Sequence, residues 1–172
     1  MSSIPNPTKR LAFKQLELQD ATWFAELNQD AEVLKYTGDQ PFENLEAAQS
    51  FLGGYQEYQN HGFGRWAVVL RSTGEPIGWC GLKRNEEDEV DIGFRFFRKH
   101  WNCGYATEAA KACLDWGLNE KRLAYIVGRS MKENEASIRV LEKIGMSFWK
   151  ENEVPGLHTA VYYRINGPKS LD

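Results

Sequence analysis

The stretch Arg98-Lys99-His100-Trp101-Asn102-Cys103-Gly104-Tyr105-Ala106-Thr107-Glu108-Ala109 holds the residue types in this chain best suited to chemistry. Apolar alternation ends just before it and a helical period begins at Tyr105, so Asn102 and Gly104 stand in a short strand-to-helix loop. Small residues there let main-chain amides approach an anion. The helix start adds unpaired N–H groups and the positive end of its dipole. That is the chemistry of a phosphate cradle. It is not a P-loop, because no Gly-Lys-Ser/Thr follows to reach a terminal phosphate or hold magnesium. An ordinary strand-to-helix turn, with Gly104 serving only the backbone, uses the same residues. Cys80, Cys103 and Cys113 are odd in number without metal-ligand spacing, and His61, His100 and His158 are scattered. Neither a disulfide framework nor a metal site is therefore expected.

The elements that must hold this loop follow from periodicity. Glu89–Arg98 places Val90, Ile92, Phe94 and Phe96 on one face at period two, a strand that runs into the loop. Arg65–Arg71 and Pro76–Lys83 precede it as strands. The turns Ser72-Thr73-Gly74-Glu75 and Asn85-Glu86-Glu87-Asp88 are short enough to make the three an antiparallel meander. After the loop, Ala106, Ala109, Ala110, Cys113 and Trp116 recur at helical spacing. Leu123–Ser130 follows as a strand. Asn134 then caps a helix whose Ala136, Val140 and Ile144 share a face, and Gly145 ends it. Upstream, Arg10–Leu18 reads as a first strand and Asp20 as the N-cap of a helix carrying Trp23, Phe24 and Leu27. A second helix runs from Asn44 through Ala48, Phe51, Leu52 and Tyr55 to Asn60-His61-Gly62, and Ser147–Glu151 and His158–Ile165 supply the last strands. This order predicts an α+β domain with a mixed central sheet of about seven strands and about four helices. It argues against a doubly wound dinucleotide fold, which needs regular alternation.

At 172 residues the chain fits one domain, residues 1–172, and 42% hydrophobic with 13% aromatic residues supplies its core. The 21 Lys and Arg against 24 Asp and Glu give a net charge of −3, which argues against nucleic acid as a partner. No run approaches the roughly 18–20 apolar residues that span a bilayer. Met1-Ser2-Ser3-Ile4-Pro5-Asn6-Pro7 lacks the apolar core of a signal peptide. With so few cysteines, a reduced, cytoplasmic protein without a membrane partner is expected. The aromatic-rich set Trp23, Phe24, Tyr36, Phe42, Phe51 and Tyr55 reads either as helical core or as the wall of an acceptor groove.

Trp101-Asn102-Cys103-Gly104-Tyr105-Ala106-Thr107-Glu108-Ala109 resembles the acyl-CoA pyrophosphate loop of the GCN5-related N-acetyltransferases, in particular the RimJ/RimL type, which commonly reads Trp-Gly-x-Gly-Tyr-Ala-Thr-Glu-Ala. Asn134–Met146 is similar to that family's second cofactor-binding helix. Phe63–Val68 through Pro76–Leu82 is similar to its central hairpin, and Thr8-Lys9-Arg10-Leu11 to its opening strand. The likeness covers nearly the whole chain, with the motifs in the family's order.

The resemblance implies acetyl-CoA as cosubstrate, no metal, and a single acyl-CoA N-acyltransferase domain acting as a monomer or homodimer. Main-chain amides of Asn102, Cys103, Gly104, Tyr105, Ala106 and Thr107 would hold the pyrophosphate. The strand at Phe94, Arg95 and Phe96 would pair with the pantetheine arm, and Asn134 would hydrogen-bond it. The chain departs from the family at Asn102, in place of the first loop glycine, and at Leu141, where many members carry a tyrosine that protonates the departing thiolate. RimL-type members assign that role to a serine at the position of Ser137. They also place a carboxylate near Glu153, which makes Glu153 the first choice of general base ahead of Glu151, His158 and Asp91. The implied reaction is direct attack of a neutral amine on the thioester. The acceptor is a peptide N-terminal α-amine, or alternatively a small amine such as a polyamine, aminoglycoside or amino acid. A non-catalytic acyl-CoA-binding module is the alternative outside the enzymes.

Overall fold

The meander is present and continues into a larger sheet. β1 (Leu11–Gln15), β2 (Arg65–Leu70), β3 (Pro76–Arg84) and β4 (Val90–Phe96) pair antiparallel in chain order. β5 (Tyr125–Met131) lies parallel to β4, and β6 (Ser147–Val154) and β7 (Leu157–Asn166) complete a seven-stranded mixed sheet ordered β1-β2-β3-β4-β5-β7-β6. This computed structural model describes residues 3–155 and 157–168. Met1 and Ser2 of the N-terminal segment, Gly156, and 169–172 of the expected domain lie outside the described residues.

Among the described residues, four α-helices of at least seven residues accompany the sheet: α1 (Ala21–Leu27), α3 (Leu45–Gly53), α5 (Tyr105–Asp115) and α6 (Glu135–Lys143). Two single-turn helices, α2 (Ala31–Leu34) and α4 (Glu57–His61), are also present among the described residues, of which α2 has no counterpart in the sequence reading. The helix read from Asn44 to Gly62 is in fact α3 and α4, because Gly53-Gly54 interrupts it where no side chain supports the turn. Asn44 does cap α3, its side chain accepting from the Ala47 amide at 2.8 Å, and Gly62 closes α4 at φ +71°. Asp20 starts α1 without capping it. Its carboxylate turns back to the Glu17 amide (2.9 Å), Lys14 Nζ (2.6 Å) and Trp23 Nε1 (2.9 Å), which together outcompete a helix amide.

α5 lies on the β1–β4 half of the sheet through Ala109, Ala110 and Cys113, with Trp116 just past its end, all buried as their spacing requires, while Ala106 of the same stripe is half-buried. Three of these are small, so the helix sits close to the strands, and Trp116 meets Trp66 of β2 edge to face at 5.1 Å. In α6 the expected face is displaced in part: Ile144, at its end, is buried as expected, but Ala136 is exposed and Val140 half-buried, while Leu141 joins the buried side. Gly128 of β5 explains this. It leaves a hollow that Leu141 fills, and a β-carbon there would come within 2.7 Å of Leu141 Cδ2.

Candidate active site

β4 delivers the chain to the loop. After a short 3-10 turn at Arg98–His100, Asn102 adopts φ +58° and Gly104 φ +78°, bracketing Cys103 with left-handed residues before α5 begins. Asparagine tolerates that region better than most residues, which answers for the missing glycine at 102. The amides of Tyr105, Ala106 and Thr107 open α5, where no preceding helical turn supplies carbonyls. Asn102, Cys103 and Gly104 are exposed, and a β-carbon at Gly104 would meet only Arg10 Nη2, at 3.4 Å. A shallow, side-chain-poor ledge of amides at a helix start fits a diphosphate.

The second feature is a gap in the sheet. β4 and β5 pair only at Asp91↔Val127 and Ile92↔Gly128, and then diverge. Gly93–Phe96 pairs with β3 on one side and, among the described residues, with no strand on the other. Phe94, expected on the buried face, is half-buried because the sheet opens beside it. A cavity of about 650 Å³ occupies the gap, with Phe94 and Arg95 on one wall and Ser130, Asn134 and Ser137 on the other. Five of the aromatic residues read as core or groove, Phe24, Tyr36, Phe42, Phe51 and Tyr55, close its far side; Trp23 does not. Phe24 and Phe51 stack at 5.6 Å, so this wall is both core and lining. Burial raises the Tyr55 pKa to about 12, against the pull of its hydrogen bond to Arg65, so its phenol stays protonated at neutral pH.

The predicted residues fall into three groups. Phe94, Arg95, Asn134 and Ser137 meet at the cavity, and Asn102 through Thr107 form the ledge. Phe96 is buried, its carbonyl accepting from Trp101 Nε1 at 2.9 Å. Asn134 caps α6, its side-chain oxygen accepting the Ser137 amide at 3.2 Å. Glu153 is not brought to the cavity: it is exposed on β6 and accepts from Thr159 Oγ1 at 3.1 Å. Glu151 is paired with Lys132, and His158 is exposed. Asp91 does line the cavity, 2.6 Å from Arg65 Nη2.

Sequence reasoning missed the charged wall. Arg65 and Arg95 each stand 5.3 Å from the Trp79 ring, and Arg95 bonds Asn28 and reaches Asp39 at 2.6 Å. The available signal was charge inside strands, at Arg65, Asp91 and Arg95, on the face opposite Val90, Ile92 and Phe96. Among the described residues, no cluster of three or more His, Cys, Asp or Glu is placed to hold a metal ion, and no helix is long and apolar enough to cross a membrane.

Residues 10–147 match the family model for an acetyltransferase (GNAT) domain. The uncharacterized protein YkkB of Bacillus subtilis (strain 168) is 34% identical over 91% of this chain and 93% of its own length. The crystal structure of a GNAT-family acetyltransferase from Bacillus anthracis aligns with a TM-score of 0.82 at 30% identity, covering 95% of this chain and 98% of that one. The spermidine N(1)-acetyltransferase of Escherichia coli (strain K12) is 29% identical over 78% of this chain and 71% of its own length.

Proposed function

This chain belongs to the GNAT family of acetyltransferases, and from that premise we propose that it transfers the acetyl group of acetyl-CoA directly to a primary amine, foremost the N-terminal α-amine of a peptide. The observation that carries the reading is the divergence of β4 from β5. It leaves one strand edge open between an anion-binding helix start and a cavity lined by Asn134 and Ser137.

Acetyl-CoA supplies an activated thioester carbonyl. The amides of Asn102, Cys103, Gly104, Tyr105, Ala106 and Thr107 hold its diphosphate by hydrogen bonds and by the field of the α5 terminus. The edge of Phe94–Phe96 that β5 leaves open takes the pantetheine amides as it would an added strand, through the main chain of Phe94 and the Phe96 N–H, since Arg95 pairs toward β3 and the Phe96 carbonyl already accepts from Trp101. An N–H of the same edge meets negative charge developing on the carbonyl oxygen. The Asn134 oxygen is taken by the Ser137 amide, which leaves its NH2 group to donate to the pantetheine. Ser137, on the cavity wall, donates its hydroxyl proton toward the departing thiolate, a role closed to the alkyl side chain of Leu141.

Deprotonation of the acceptor decides the amine class. Both aspartates of the cavity wall are ion-paired, Asp39 with Arg95 and Asp91 with Arg65, so neither is a free base. An α-amine of pKa about 7.7–8.0 is roughly a tenth neutral at pH 7, whereas an alkyl amine of pKa about 10.4 is neutral in under a thousandth. A site of this kind suits an acceptor that arrives partly neutral and gives its remaining proton to solvent. The spermidine acetyltransferase relative favours a second reading, a polyamine acceptor. Distal ammonium groups need unmatched carboxylates: Asp39, Asp91 and Glu87 are paired with Arg95, Arg65 and Lys150, which leaves the exposed Glu86 as the lining carboxylate open to such a group.

The test is CoA thiol release with three acceptors: a peptide with a free N-terminus, the same peptide N-terminally blocked but carrying lysine, and spermidine. The free N-terminus should exceed the other two by about tenfold or more at pH 7. Spermidine as the best acceptor would overturn the α-amine assignment. CoA binding without turnover of any amine would reduce the protein to a binding module.

A further inference from the structure

The opening motif Thr8-Lys9-Arg10-Leu11 has no part in the mechanism above, yet Arg10 reaches the loop before α5 and, with Thr8, holds Glu108 near the start of α5. We infer that Arg10, braced by Thr8 and Glu108, is a positioning residue that aims the Cys103–Gly104 peptide at the diphosphate. The inference rests on the acetyl-CoA reading just given.

Arg10 Nη1 donates to the Cys103 carbonyl at 2.9 Å. A trans peptide is planar with its C=O and N–H opposed, so holding this carbonyl toward Arg10 points the Gly104 N–H away from Arg10. That amide lies between the two left-handed residues, Asn102 and Gly104, where rotation of the peptide would otherwise turn a carbonyl toward the anion. The guanidinium is itself fixed. It lies 4.4 Å from the Tyr105 ring centroid, and its Nε donates to Glu108 Oε2 at 2.7 Å.

Glu108 gives the arrangement its second purpose. A carboxylate in the early turns of α5 suits the helix dipole but opposes a nearby phosphate. Here Thr8 Oγ1 (2.6 Å) and the Arg10 amide (3.0 Å) both donate to Oε1, while the guanidinium covers Oε2. Burial works against ionisation of Glu108, but these hydrogen bonds outweigh it and hold the carboxyl below its ordinary range. The negative charge thus stays matched within the clamp and β1 is tied to the loop. Lysine cannot replace this fork, because one ammonium nitrogen cannot span both Glu108 and Cys103.

The experiment compares wild type, Arg10→Lys and Arg10→Met by calorimetric titration with CoA, with circular dichroism to establish folding. Turnover of S-acetylpantetheine, a donor without the diphosphate, is measured alongside. Loss of one aimed, charge-assisted contact should weaken CoA binding about tenfold in Arg10→Met, with a smaller loss in Arg10→Lys. Turnover of S-acetylpantetheine should stay within about twofold of wild type, since that donor does not touch the loop. Arg10→Lys carries the test if Arg10→Met does not fold. Unchanged CoA affinity in the folded variant, or an equal loss with both donors, overturns the inference while leaving the acetyl-CoA reading intact. Absence of CoA binding by the wild type overturns both.

Discussion

Asp91→Asn separates a structural counter-ion from a catalytic base. Asp91 Oδ1 lies 2.6 Å from Arg65 Nη2, with the two side chains 21% and 16% exposed. Arg65 also donates to the Gly81 carbonyl at 2.5 Å, and a β-carbon at Gly93 would come within 2.7 Å of its guanidinium. The guanidinium is walled in and cannot follow water when its partner is neutralised. Breaking a buried pair costs roughly 3–5 kcal/mol and an exposed one about 0–1 kcal/mol. With a fifth of each side chain exposed, and with asparagine keeping a carbonyl acceptor, the cost here is about 2 kcal/mol. For a chain of this size that lowers Tm by about 4–8 °C. The assay is thermal unfolding at pH 7, with steady-state kinetics from pH 6 to 9 well below the transition. kcat should stay within about threefold and the pH profile should keep its shape, because Asp91 serves Arg65 rather than the amine. An unchanged Tm would refute the packing argument. A drop in kcat of about a hundredfold with loss of one limb of the pH profile would make Asp91 the base and refute deprotonation by solvent.

Other expectations follow from the same contacts. Ser137→Ala should slow acetyl transfer by about tenfold with little change in CoA affinity, whereas Glu153→Gln, remote from the cavity, should leave kcat within about twofold; steady-state kinetics on both variants checks the pair. Gly128→Ala drives a methyl group to 2.7 Å from Leu141 Cδ2, and denaturant unfolding should register a loss of about 1–3 kcal/mol, partly recovered when Leu141→Ala is added. Glu108, held below its ordinary 4.5, contributes stability above that value and loses it as the pH falls through its lowered folded pKa. Below pH 4.5 the wild-type Tm should therefore fall more steeply than that of Glu108→Gln, as scanning calorimetry across acid pH would show.

What could be read beforehand was local. The alternation of Val90, Ile92, Phe94 and Phe96 and the stripe of Ala106, Ala109, Ala110, Cys113 and Trp116 each depend on one element's own period, and all are buried except Phe94 and Ala106, which are half-buried. Asn102 and Gly104 were legible for the same reason, since a left-handed backbone restricts residue type directly. Features that depend on register were not. Arg65, Asp91 and Arg95 lie far apart in sequence and meet only because β3 sets β2 and β4 in a particular alignment. The displaced face of α6 was illegible because the hollow receiving Leu141 belongs to a glycine on another strand. The family likeness points to a carboxylate near Glu153, but β6 lies at the edge of the sheet and Glu153 does not line the cavity.

The central claim is that the Asn102–Thr107 ledge holds acetyl-CoA, and calorimetric titration of wild type beside Gly104→Glu tests it most directly. Glutamate at a φ of +78° adds backbone strain of about 1–2 kcal/mol and sets a carboxylate beside the ledge, next to Arg10, where it repels the diphosphate and competes for the guanidinium. Saturable binding by the wild type that the folded variant loses is the predicted result. Equal binding by the two proteins, or none by the wild type, would contradict the account.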